Sequence, residues 1–314
     1  MQHCRLLLAA LLLVGCASLN SPSSSLAIDT APPDITATNA FYYYADVEAA
    51  WVFYRDVLGL ETVIDYGFAK ILRVADSAYL TLVQASEGMH TADEPKTVTL
   101  NLVTDELSRW SEHLSSQSVP MRVAYGGNAA RDTNSFVAVD PEGYFLKFVR
   151  FNPHPNHESF VAAFAAAPPL NSAVQHAAGR LSIRAAAFSI YVESLSGVRA
   201  FYQALFDVAP AGQISGVDVY QMSNSGFLLL VEGSDGLHQA TARSGVTYSF
   251  FTSDVDAWYA RAARWPGFEL RTPEVLDEDG MVRVFVGYDP VGTFLEWDTF
   301  QDVPENARLF RYLP

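Results

Sequence analysis

The sequence predicts an α+β fold made of four consecutive βαβββ modules behind a short N-terminal targeting segment. Three observations carry this reading. A strand followed by an amphipathic helix recurs four times. An Asp-Pro-x-Gly turn between two alternating apolar runs closes the second and the fourth recurrence. Half of the 314 residues are apolar and only 18% are charged, which is enough material for packed cores.

The chain opens with Arg5 and an apolar run from Leu6 to Val14. That run is too short to cross a bilayer and has the length of a signal-peptide core, so residues 1–15 read as a signal peptide. It ends in Leu13-Val14-Gly15-Cys16, which resembles the bacterial lipobox, where the cysteine is acylated and becomes the new N-terminus. The plainer alternative is an ordinary signal cut near Ala17 or Ser18. Ser, Pro and small residues follow over 16–35 and form a tether. Ala17 and Ser18 offer no Asp to resemble an inner-membrane retention signal. The expected location is therefore the bacterial envelope, anchored by lipid at Cys16 to the outer membrane and facing the periplasm. Cys4 leaves with the signal, so the folded part has no thiol for a disulfide, a zinc site or a nucleophile.

The first module starts with Phe41 to Tyr44, then Asp46, then Trp51, Tyr54 and Leu58 at helical spacing, with Gly59 as the stop. The second runs from Val98 to Val103, then Asp105, then Leu107, Trp110 and Leu114. The third has Phe188 to Val192, Ser194 or Ser196, then Val198, Phe201, Tyr202 and Leu205. The fourth has Tyr248 to Phe251, Asp254, then Trp258, Ala262 and Trp265. Each side-chain oxygen can cap the free amides of a helix start, and each apolar set lies on one helix face. Short strand-like runs follow, such as Lys70 to Val74, Tyr79 to Gln84, Val219 to Met222 and Phe227 to Glu232. The turns are FVAVDPEGYFLKF over 136–148 and FVGYDPVGTFLEW over 285–297. Read in order, modules one and two form a domain over 36–152 and modules three and four a domain over 183–303. The Pro-rich stretch 153–182 links them. Asn156 could cap a short helix there whose Phe160 and Phe164 face one side and cover sheet surface. Residues 304–314 form a C-terminal tail.

Asp46-Val47-Glu48 with Phe53 to Glu61, followed by Asp140-Pro141-Glu142-Gly143, resembles the vicinal-oxygen-chelate superfamily of glyoxalase I, bleomycin-binding proteins and extradiol dioxygenases. Phe201 to Phe206 with Asp289 to Gly292 is a more diverged second copy. The resemblance covers Ile35 to about Gln301 and implies two tandem glyoxalase-like half-open barrels. It also implies a concave site where a His on one first strand, a His or Gln on the next and a Glu on the last strand hold a divalent metal, with positions left open for a chelating substrate.

In the first domain those positions read Asn39, Thr97 and Lys147; in the second, Ala187, Thr247 and Glu296. Only Glu296 matches, so the expectation is no cofactor, with a divalent metal in domain two as the alternative. An oxygen-rich site from Glu193, Glu296 and Asp298 is outweighed by the reading that Glu193 and Asp298 end their strands in water. His238 reads as an exposed turn residue. His154 and His157 read as a solvated linker, because Pro155 breaks the spacing that would pair them.

Alternation places Phe41 and Tyr43 with Phe145 and Lys147 in one cup, and Ser189 and Tyr191 with Phe294 and Glu296 in the other. Such cups are either ligand pockets or, facing each other, a buried interdomain core. The formal charge of −15 argues against nucleic acid. The sequence thus points to a lipid-anchored binder of a small organic molecule. Its rivals are a metal-dependent lyase or dioxygenase using Glu296 and a non-catalytic scaffold.

Overall fold

The computed structural model describes residues 31–314 except 129, 130, 132, 153, 156, 157, 178 and 215. Cys16, the signal segment and most of the tether lie outside the described residues, as do His157 and the expected helix cap Asn156.

In the first module, β1 (Ala37–Tyr44) leads into α1 (Val47–Val52). The Asp46 carboxylate accepts the Ala49 N–H at 3.0 Å, and the helix widens into a π-turn over Phe53–Val57. β2 (Glu61–Asp65), β3 (Ala69–Ala75) and β4 (Ala78–Gln84) complete it. The second module has β5 (Val98–Val103), α2 (Leu107–Ser116), β6 (Met121–Val123), β7 (Thr133–Val139) and β8 (Phe145–Phe151). After α3 (Glu158–Ala166) comes a hairpin, β9 (Leu170–His176) and β10 (Gly179–Ile183), where the sequence reading has only linker. The third module has β11 (Ala185–Val192), α4 (Leu195–Phe206), β12 (Gly212–Ile214), β13 (Val217–Gln221) and β14 (Gly226–Glu232). The fourth has β15 (Val246–Phe251), α5 (Val255–Ala262), β16 (Glu269–Leu270), β17 (Leu276–Glu278), β18 (Val282–Tyr288) and β19 (Phe294–Phe300).

The caps divide as the side chains dictate. Asp254 accepts from the Ala257 N–H at 2.9 Å, as expected. Asp105 instead pairs with Arg184 at 2.7 Å, and Ser194 makes no cap bond: its hydroxyl meets that of Ser196 at 2.8 Å, while Glu232 takes the Leu195 N–H.

The sheets cut across the two halves of the chain. The first runs β16-β18-β19-β15-β1-β4-β3-β2 and joins module one to module four. The second runs β12-β13-β14-β11-β5-β8-β7-β6 and joins module three to module two. The sequential pairing of modules one with two and three with four therefore does not describe the sheets. Each module offers the same free edge on its first strand. β1 gives that edge to β15 and β5 gives its edge to β11, both antiparallel. Motif spacing is blind to which edge meets which.

Nor do the concave faces meet. Ala40, Tyr42 and Tyr44 of the first sheet and Leu100, Leu102 and Phe188 of the second belong to one shared core on the helix side, with Trp110, Trp258 and Trp297 fully buried in it. A side chain of this size contributes about 1.5–3 kcal/mol on burial. Each concave face is covered by its own segment. Phe160 and Phe164 of α3 pack on Val103, Val149, Ala187 and Phe227 of the second sheet. Leu309, Tyr312 and Leu313 of the tail pack on Ala37, Ile71, Tyr79 and Phe251 of the first.

Candidate functional site

The part of each cup left beside its covering segment has a polar floor. In the first cup, strand register sets Asn39 of β1 opposite Ser249 of β15, and Ser249 beside Glu296 of β19. Asn39 is buried and spends its amide on Thr81, donating at 2.9 Å and accepting at 3.1 Å. The Ser249 hydroxyl donates to Asp298. Glu296 and Asp298 stand two apart on one face of β19, are 9% and 3% exposed, and hydrogen-bond to each other. Burial, and then the charge of Asp298, raises the Glu296 carboxyl well above its ordinary range. Burial raises Asp298 as well. Two buried carboxyls on one face disfavour a double negative charge, so the pair favours holding a proton.

An aromatic ring of residues stands above this floor. The Tyr43 hydroxyl shares a 2.8 Å hydrogen bond with Thr247. The imidazole of His90 lies edge-on to Tyr43 at 5.0 Å and to Phe294 at 5.5 Å. Its Nδ1 is 2.9 Å from Glu94, and its Nε2 is buried with no hydrogen bond among the described residues.

The second cup repeats the plan with opposite charge. Ala187 faces Asn101, and Asn101 lies beside Lys147. The Asn101 amide donates to Ser189 at 2.9 Å and to the Ala187 carbonyl at 3.0 Å. Tyr191 bonds Thr99 at 2.8 Å and Asp235 at 3.0 Å. His238 stacks on Phe145 at 4.7 Å and meets Tyr191 edge-on at 5.3 Å. Burial lowers the Lys147 amine, against the pull of Asp235. So Tyr43, His90 and Phe294 recur as Tyr191, His238 and Phe145, over a carboxyl pair in one cup and an amine in the other.

The structure regroups the residues singled out from sequence. Phe41, Tyr43, Phe294 and Glu296 share the first cup; Phe145, Lys147, Ser189 and Tyr191 share the second. The groups expected from the halves of the chain are not formed, because the sheets pair module one with four and two with three. The strand residues beside Glu296 and Lys147 are Ser249, two positions beyond Thr247, and Asn101, four positions beyond Thr97. Glu193 is exposed at the end of β11 in the other sheet and is not part of a site with Glu296 and Asp298. Asp298 is not at a wet strand end but buried against Glu296. His238 is part-buried under burial that lowers its pKa, rather than an exposed turn residue. His90, Asp235, Ser249 and Asn101 were not found by sequence reasoning. His90 sits in a loop with no motif. For Ser249 and Asn101 the signal was strand alternation from Thr247 and Thr97, with the register unknown.

No family model matches the chain, and no curated protein matches it. Solved structures do. A Bacillus subtilis protein assigned as a dioxygenase is 13% identical, with 86% of each chain covered and a TM-score of 0.60. Glyoxalase I from Zea mays is 13% identical, with 88% of this chain and 94% of that one covered and a TM-score of 0.55. The chain has the tandem glyoxalase/dioxygenase fold that these proteins share.

Proposed function

We propose that this chain, on the glyoxalase/dioxygenase fold, is a lipid-anchored envelope protein that binds a small polar organic molecule in its first cup and does not work through a tightly held metal. The observation that carries the reading is the buried, proton-sharing pair Glu296–Asp298 beneath Tyr43, His90 and Phe294. Such a pair can accept from a ligand hydroxyl or amine through Asp298, while the rings sort ligands by shape.

The donor chemistry does not fit a divalent ion. Beside Glu296 the two strand positions are an amide already committed to Thr81 and a hydroxyl committed to Asp298. In the second cup the three positions are Ala187, Asn101 and Lys147, and an amine repels a cation. Among the described residues no three His, Cys, Asp or Glu side chains are grouped to hold a metal. No described helix is long and apolar enough to cross a membrane, so under this reading attachment rests on the lipid at Cys16.

Elemental analysis of the mature protein tests the metal half of the proposal. The expected result is well below one equivalent of any transition metal. One equivalent that Glu296→Ala removes would replace this reading with the metal-dependent enzyme. For the binding half, a thermal-shift screen of small polar compounds is expected to yield stabilisers, since a ligand of the native state raises the melting temperature by mass action. Asp298→Ala is expected to weaken their binding roughly 10- to 150-fold, the equivalent of a charge-assisted bond of about 1.5–3 kcal/mol. A stabiliser unaffected by this variant would take the site away from the first cup. For the anchor, Cys16→Ser is expected to accumulate as precursor; a normally processed, soluble variant overturns it.

A further inference from the structure

The internal repeat offers a comparison between corresponding places in one molecule. Gly143 is followed by Tyr144 where Gly292 is followed by Thr293. Tyr144 is 1% exposed and fills a slot at the end of β1. Its ring stacks on Tyr42 at 4.0 Å, its hydroxyl accepts the Tyr43 N–H at 2.9 Å, and the Lys96 amine lies over it at 5.1 Å. In the other copy the strand end is that of β11. The last pairs, Tyr42 with Val246 and Ile190 with Val98, set Ile190 in the place of Tyr42 and Tyr191 in that of Tyr43. The same offsets set Ser244 in the place of Lys96 and Tyr248 in that of Leu100. Thr293 leaves the slot unfilled. A cavity of about 260 Å³ lies there, lined by Ile190, Tyr191, Tyr248, Ser244, Val291 and Thr293.

The groups that hold the ring in the first copy have counterparts. The Ala186 N–H points to the β14 side of β11, so alternation turns the Tyr191 N–H to the other side, just past the last residue paired with β5. The Tyr43 N–H points the same way when it binds Tyr144. Tyr248 brings a buried aromatic ring where the first copy has an aliphatic side chain. Its hydroxyl is occupied by the Ser189 carbonyl at 3.1 Å, so the face it offers to the cavity is apolar. The volume is below that of a drug-sized pocket and suits one ring.

We propose that this cavity is a second ligand site, separate from the carboxyl pair, that takes a single hydroxyl-bearing aromatic ring in the position that Tyr144 occupies in the other repeat. The ring lies against Tyr248 and Ile190, and its hydroxyl accepts the Tyr191 N–H. The site does not depend on the first cup, because Thr293 has the strand parity of Leu295, on the face opposite Glu296.

Titration of the full chain with p-cresol, which is the tyrosine side chain as a free molecule, tests this by calorimetry. The expected result is saturable binding of one molecule per chain that Glu296→Ala leaves unchanged. Thr293→Tyr supplies the ring from within and is expected to weaken binding more than tenfold. Saturable binding kept by a folded Thr293→Tyr protein overturns the proposal, as does no saturable binding to the unsubstituted chain. Should Thr293→Tyr fail to fold, Val291→Trp decides. Val291 is 39% exposed at the rim, so a large ring there blocks the mouth without entering the core. Loss of binding supports the site and retention overturns it.

Discussion

At the scale of single residues, the most consequential feature is a carboxylic acid kept out of water. Glu296 and Asp298 have raised pKa values because burial penalises their charged forms. The folded state therefore holds protons that the unfolded chain has already released. The stability this provides is fully present below the ordinary carboxyl range, at about pH 4, and is lost as pH rises through the folded values. Glu296→Gln keeps the shape and a donor to Asp298 but removes one titration. Its stability is expected to exceed that of the parent at pH 8, by about 1.4 kcal/mol for each tenfold rise in proton affinity that burial gives the carboxyl. The advantage is expected to shrink as pH falls toward 4. Urea denaturation at several pH values measures this, and a pH-independent difference contradicts the buried titration. Glu296 was legible in the sequence, through its place after the Asp-Pro-x-Gly turn. Ser249 was not, since a shift of two residues along a strand keeps the same face and leaves the pattern unchanged.

At the scale of elements, both concave faces are closed by segments outside the four modules. Phe160 and Phe164 were read correctly as one face of a helix that covers sheet, and both are buried. Phe160 is fully buried and meets Phe151 and Phe164 edge-on at 5.2 and 5.8 Å. Phe160→Ala is expected to cost about 3–5 kcal/mol, the ordinary loss for a buried aromatic ring. Thermal unfolding monitored by circular dichroism checks it, and a loss below about 1 kcal/mol would mean that α3 is not held on the sheet. The tail over 304–314 lies outside the modules, yet Leu309 is fully buried against the first sheet. Nothing in eleven residues without periodicity marks such docking, because the apolar surface that receives them lies on distant strands. The same holds for the hairpin of β9 and β10, whose Ala173 N–H donates to the Gly59 carbonyl at 2.8 Å. Gly59 has φ +66°, and a Cβ there would lie 2.7 Å from two backbone nitrogens of the hairpin. The stop signal at Gly59 was legible; the close approach that also requires glycine was not.

At the scale of the whole molecule, the crossed sheets make each half of the chain incomplete. Strands β1 and β5 would both be left with bare edges if residues 31–152 stood alone, and a bare edge in the middle of a sheet exposes a row of unpaired amides and carbonyls. The halves 31–152 and 153–314 are therefore expected to be unfolded or aggregated when produced separately, and to give native circular dichroism when co-expressed. The intact chain is expected to unfold in one transition, since Ala31–Pro314 form one compact unit with a core common to both sheets. Two independently folding halves, each with its own melting temperature, would contradict the strand pairing.

The sequence by itself determined the four modules, their helix faces, the two Asp-Pro-x-Gly turns and the glyoxalase-type fold. These depend on local periodicity, turn chemistry and repeat spacing, which act over a few residues and are written in the chain. Only the tertiary structure decided which modules share a sheet, which side chains share a cup and what covers each cup. Four similar modules present four similar edges, so the choice among partners rests on contacts between residues far apart in the chain, 210 positions for Asn39 and Ser249 and 86 for Asn101 and Ala187. Such contacts leave no period in a single sequence. They nevertheless set the carboxyl pair in one cup and the amine in the other, and with them the chemistry that each site can perform.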